Sequence, residues 1–218
     1  VNPNKTVIWG HSQGGQSSAF AAQIANKYAP ELPIQGAVVL APGLLPSLPL
    51  AVQGLLAATQ PSGQTGFVME IAASWSRIYP DQMTPADILT PAGVAKLPIV
   101  DSVCGNQVFD AFQDAPMSTY VKDPVPAIFY TLATENTPGS EKIQMPIIMA
   151  QGMKDTTIIP QLTLAFDKQL CQMGNTVDFH IYPNDTHPGV VVASRDTVQS
   201  WIKDRFNGNP APTNCSNQ

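Results

Sequence analysis

Thr6-Val7-Ile8-Trp9-Gly10-His11-Ser12-Gln13-Gly14-Gly15 is the most informative run in the chain. Its first four residues are mostly branched or aromatic and read as a short buried strand. Ala, Phe and Ile fall on one face of Gln16–Tyr28, which reads as a helix. Between them Gly10-His11-Ser12-Gln13-Gly14 must make a tight turn. A strand, a sharp turn and a helix hold a serine hydroxyl out at the end of a sheet, in a strained backbone conformation. Residues flanking such a turn must be nearly without side chains, which Gly10 and Gly14 supply, and Gly15 lets the helix approach the sheet. The turn also offers the Gln13 backbone N–H to a developing negative charge, beside the positive end of the helix. The bare spacing arises by chance in about one chain in fifteen at this composition. The flanking strand and helix therefore favour Ser12 as a nucleophile over Ser12 as a helix N-cap. His11 is expected to point away from Ser12 and pack beside the turn.

Outward from this stretch, further apolar runs at Ala37–Ala41, Ile147–Ala150 and Val177–Tyr182 read as parallel strands. Helical patterns follow at Gln161–Met173, which stops before Gly174, and at Ser194–Phe206. Alternating strands and helices imply an α/β fold with a doubly wound parallel sheet. The segment 44–141 breaks that rhythm with many prolines and short helix candidates, such as Phe67–Tyr79 and Val103–Phe112. The expected organisation is a catalytic core of 1–43 and 142–218 with a helical insertion, 44–141. That insertion reads as a cap over the strand ends or, equally, as a helical subdomain without gating.

A serine hydroxyl needs a histidine to take its proton and a carboxylate to hold that histidine. His180 lies mid-strand and reads as structural. His187 follows the last strand in Asn184-Asp185-Thr186-His187-Pro188-Gly189, where loops face the ligand crevice of an α/β sheet, and is the expected base. Asp155, in Gln151-Gly152-Met153-Lys154-Asp155, also follows a strand and is the expected acid, although a turn or helix-cap Asp would look the same. Asp185 is the rival, but neighbours on one tight loop rarely reach the far ring nitrogen squarely. The chain order Ser–Asp–His is one of three common among serine hydrolases, the one used with a nucleophile on a strand–turn–helix elbow.

Composition narrows the classes. Hydrophobic residues at 44% are ample to offset chain entropy, so disorder is not expected. A net charge of −5 with 11 scattered basic residues leaves no stripe for nucleic acid. No stretch approaches the roughly 20 apolar residues of a spanning helix. The three His and three Cys show no metal-ligand spacing, and no metal or other cofactor is expected. Low charge and 21 Pro point to an extracellular protein. Three sequons, at Asn4, Asn184 and Asn214, read as coincidence. The chain opens at Val1 without Met or signal peptide, which reads as a processed or truncated start.

Together Gly-His-Ser-Gln-Gly-Gly, the Pro-rich insertion, Gly152-Met153-Lys154-Asp155 and Thr186-His187-Pro188-Gly189-Val190 resemble the secretory lipases, an α/β-hydrolase family, over nearly the whole chain from Val1 to Cys215. The resemblance implies cofactor-free hydrolysis of lipid or small carboxylic esters by a secreted enzyme. It assigns Ser12, Asp155 and His187 as catalytic and Gln13 as one oxyanion donor. Acyl transfer by the same triad, or a fragment serving only assembly or binding, are the rivals. Family members have strands before the elbow, and these normally supply the second oxyanion donor. The sheet is thus expected to be truncated on its N-terminal side. Thr6–Trp9 would then lie at its edge, open to a second copy or to an N-terminal portion. Among the cysteines, Cys171 ends a helix and Cys215 lies in the tail, so their bond would pin the tail to the fold. That leaves Cys104 over, and in the family a cap cysteine can pair with the N-terminal part.

Overall fold

A computed structural model describes residues 2, 4–44 and 48–215. Val1 and Ser216 of the last sequon lie outside the described residues. In chain order the elements are β1 (Thr6–His11), α1 (Gln13–Tyr28) and β2 (Ile34–Leu40). Then come α2 (Leu48–Leu56), α3 (Thr65–Ile78), α4 (Pro85–Ile88), α5 (Pro91–Lys96), α6 (Ile99–Ser102), α7 (Asn106–Ala111) and α8 (Ala127–Glu135). The chain closes with β3 (Ile147–Gly152), α9 (Pro160–Gln172), β4 (Val177–Tyr182), α10 (Gly189–Ala193) and α11 (Arg195–Phe206). These fall into two compact units, Val1–Leu44 with Thr137–Gln218, and Leu45–Asn136.

The first unit is a fully parallel sheet in the order β1-β2-β3-β4. All of β3 is buried, as is β2 from Gly36 onward, and this is why both read as continuous apolar runs. Side chains alternate across the sheet. Ala37, Val39, Met149 and Phe179 pack with Ala19 and Ala22 of α1 and Phe166 and Leu170 of α9 on one face. Val38, Leu40, Ile148 and Ala150 pack with Val190 of α10 and Val198 and Trp201 of α11 on the other. The sheet is doubly wound, as its pattern implied.

The sequence left some boundaries short. β2 begins at Ile34, not Ala37, because Thr6 pairs with Ile34 across a register shift before Ile8 meets Ala37. α1 begins at Gln13, since the helix starts directly from the turn. The Val103–Phe112 candidate forms helix only over Asn106–Ala111, after Gly105 takes φ +52°. The return segment is bonded to α1 within the first unit. There Gly139 N–H donates to Gln23 Oε1 (2.7 Å), and Gln23 Nε2 donates to Ser140 Oγ (3.0 Å). The first compact unit resumes at Thr137.

Cys171 and Cys215 form a disulfide with Cα atoms 5.3 Å apart, and Cys104 is free and exposed. Next to Cys215, Asn214 works as a strand partner for β4. Its side chain accepts from Phe179 N–H (3.1 Å) and donates to Phe179 O (2.7 Å), and its own N–H donates to Val177 O (3.0 Å). An otherwise open strand edge is thereby paired.

The second unit has its own core. Val68, Met69, Ala72 and Trp75 recur at helical spacing on α3 and pack against Phe112 and Phe129. Trp75 and Phe129 meet with ring centroids 5.2 Å apart. Among the described residues no helix is long and apolar enough to cross a membrane.

Candidate active site

The turn after β1 bends as the sequence demands. Ser12 takes φ 60° and ψ −124°, a conformation that L-residues reach only with strain. Its N–H donates to Leu40 O (2.9 Å), and its carbonyl accepts from Gln16 and Gly43 N–H, at 3.1 and 3.0 Å. Surrounding backbone thus over-determines the bend. A Cβ at Gly10 would overlap the Gly14 carbonyl oxygen, so Gly10 is forced. Gly14 is a different case. Among the described residues nothing lies within 4 Å of a Cβ there, so local sterics do not demand it. Gly15 sits with its Cβ position 2.8 Å from Leu40 O, the close helix–sheet approach that was expected. Ser12 makes no capping hydrogen bond to α1, and its hydroxyl is turned elsewhere.

It is turned to His187. Oγ of Ser12 lies 2.8 Å from Nε2 of His187, and Nδ1 of His187 lies 2.7 Å from Oδ2 of Asp155. The Asp155 side chain is fully buried and that of His187 is 15% exposed, so the carboxylate is shielded while the imidazole keeps an open side. Asp155 stands in the loop after β3 and His187 in the loop after β4. The two loops are joined where Met153 N–H donates to Tyr182 O (3.0 Å) and Lys154 N–H to Asp185 O (2.9 Å). Asp185 therefore ties the loops through its backbone, and the ring of His187 faces Asp155 instead.

A buried carboxylate needs donors. Oδ1 of Asp155 accepts from Thr157 N–H (2.9 Å) and Ile158 N–H (2.8 Å), the turn-capping arrangement weighed in the sequence. Oδ2 is left for His187 and for Nε2 of Gln151 (3.1 Å). Capping and histidine-holding are thus divided between two oxygens. Gln151 is fully buried, also donates to Ile158 O (3.2 Å), and accepts from Thr163 Oγ1 (2.7 Å). The sequence reading missed it. Its signal was a lone amide ending the apolar run Ile147–Ala150.

His11, expected to pack passively, has its Nε2 2.9 Å from the backbone carbonyl of His187, with the two rings 4.4 Å apart. Burial first, then the neighbouring His187, push its pKa below the ordinary imidazole value. His180 is separate from this group. Its Nε2 lies 3.0 Å from Asp178, but without the alignment of a good hydrogen bond, so the contact is a charge pair when His180 is protonated. Close contact with Asp178 raises the His180 pKa, burial opposes, and the Asp178 charge adds. Gln13 opens α1, where the first N–H groups have no intrahelical acceptor. Among the described residues no three His, Cys, Asp or Glu side chains are grouped to hold a metal.

The family model for secretory lipases matches residues 1–214. Lipase A of Arthroderma benhamiae is 27% identical over 229 residues, covering 99% of this chain and 46% of that protein. A protein of Mycobacterium tuberculosis named a probable inactive lipase is also 27% identical, over 217 residues, covering 93% of this chain and 46% of its own. Candida antarctica lipase A superposes with a TM-score of 0.77 at 19% identity, over 96% of this chain and 50% of that one, a likeness of fold. The chain thus spans about half the length of the curated relatives it matches. With that match running from the elbow strand to the C-terminal tail, the chain belongs to the secretory lipase family.

Proposed function

We propose that this chain carries the nucleophile, base and acid of a secreted serine carboxylic ester hydrolase acting on lipid or small acyl esters. The observation that carries it is the unbroken line from Ser12 Oγ through His187 to Asp155, at 2.8 and 2.7 Å. Nδ1–H of His187 donates a hydrogen bond to Asp155, which leaves the Nε2 lone pair facing the Ser12 hydroxyl. As Oγ attacks the ester carbonyl, its proton passes to Nε2 and the C=O electrons move onto oxygen. Gln13 N–H stands to donate to that oxyanion. Collapse breaks the C–O bond, and the alcohol leaves with the proton from His187. Water then gives a proton to His187 and attacks the acyl-enzyme, releasing acid and restoring Ser12. The family match and the lipase names among the relatives support the substrate class.

The name of the Mycobacterium relative favours one second reading, a chain that keeps the fold without turnover. Hydrolysis of short acyl esters separates the two. Ser12→Ala and His187→Ala should each lower kcat by on the order of 10⁶. A parent chain no faster than Ser12→Ala would favour the second reading.

A further inference from the structure

His11 is an elbow side chain that the reaction above does not use. It ends β1 and is part-buried, with Nε2 2.9 Å from the His187 carbonyl oxygen. A carbonyl can only accept, so Nε2 of His11 must carry the proton, and the tautomer is fixed. The ring leans on the imidazole of His187, with centroids 4.4 Å apart and planes tilted by 42°. Burial and His187 hold its pKa down, against smaller opposing pulls from the His187 carbonyl and Asp155. A neutral ring belongs here. A second cation against His187 would oppose the charge that His187 gains when it takes the Ser12 proton.

His187 lies on the loop between β4 and α10, outside any strand. Asp155 grips its ring at Nδ1, and His11 grips its main chain at the carbonyl. Because His11 directly precedes Ser12, that second grip ties the base to the strand that presents the nucleophile.

We propose that His11 is a positioning residue for the proton transfer, donating from Nε2 to the His187 carbonyl and bracing its ring so that the base stays aligned on Ser12. This rests on the assignment of Ser12 and His187 above.

The test measures kcat and KM for a short acyl ester in the full chain, with Ser12→Ala, His11→Phe and His11→Gln, and reads the His11 tautomer from its ring ¹⁵N shifts in the unsubstituted protein. His11→Phe keeps a flat ring but loses the donor. Its kcat should fall about tenfold, with KM changed by less than about twofold. His11→Gln, whose amide can reach the same carbonyl, should recover most of that loss, which a role in packing alone would not produce. The ¹⁵N shifts should show the neutral Nε2–H form. An Nδ1–H form, or full kcat in His11→Phe beside an inactive Ser12→Ala, would overturn the proposal and leave the nucleophile untouched. An active Ser12→Ala would overturn both. Should His11→Phe fail to fold, an uninhibited His11→Gln with the Nε2–H tautomer supports the proposal, and the Nδ1–H tautomer overturns it.

Discussion

Ser12 shows how far a single residue can be read. Its neighbours implied a strained turn, and φ 60° with ψ −124° is that strain. Asp155 needed more. Both Asp155 and Asp185 follow strands, and only the tight spacing between Asp185 and His187 argued against the latter. In the structure Asp155 Oδ2 is 2.7 Å from Nδ1 of His187, while Asp185 spends its backbone carbonyl on Lys154. Asp155→Asn should therefore lower kcat by about 10⁴, through the wrong histidine tautomer. Asp185→Asn should cost far less, and the reverse order would refute the assignment of the acid. The amide of Gln151 was not legible as a partner of Asp155, because nothing local joins a buried strand residue to the loop it supports. Its counterpart in the elbow, His11, was visible as a residue but not as a contact, since the loop it touches lies 176 positions away.

At the level of elements, β3 and β4 were legible to within two residues because buried or alternating side chains mark them directly. β2 was not, since its start at Ile34 depends on pairing with Thr6 across a register shift. The elbow was over-read at one position. Gly10 is forced by contact with Gly14, but Gly14 has open space beside it. Gly10→Ala should destabilise the fold and abolish ester hydrolysis, whereas Gly14→Ala should keep both; equal damage from the two would contradict this. β4 also carries a titrating pair. Because the folded pKa of His180 lies above its unfolded value near 6.5, the pair stabilises the fold below that value and loses its effect as pH rises through the folded pKa. His11 has the opposite sign, its contribution being present above the unfolded value and lost as pH falls. His180→Gln should accordingly lower Tm more at about pH 5.5 than at about pH 8.5, and a gap independent of pH would remove the pair from the stability account.

Over the whole molecule, the parallel sheet and its two helical faces followed from the order of strands and helices, and the disulfide from where Cys171 and Cys215 fall. The sequence could not tell that Asn214, read only as a chance sequon, pairs the edge of β4 through both side-chain atoms. A bond closing a separation of 44 residues contributes about 4 kcal/mol in the loop-entropy description. Cys171→Ser should lower stability by an amount of that order and loosen the tail, seen as faster amide exchange at Phe179. The proposed chemistry turns on activation of Ser12 by His187, which covalent labelling of Ser12 measures. The protein is treated with an active-site fluorophosphonate and its peptides are weighed, beside the His187→Ala variant. One adduct is expected, on Ser12, forming rapidly in the parent chain and almost not at all in His187→Ala. Absence of an adduct, an adduct on another residue, or equal labelling in the variant would contradict it.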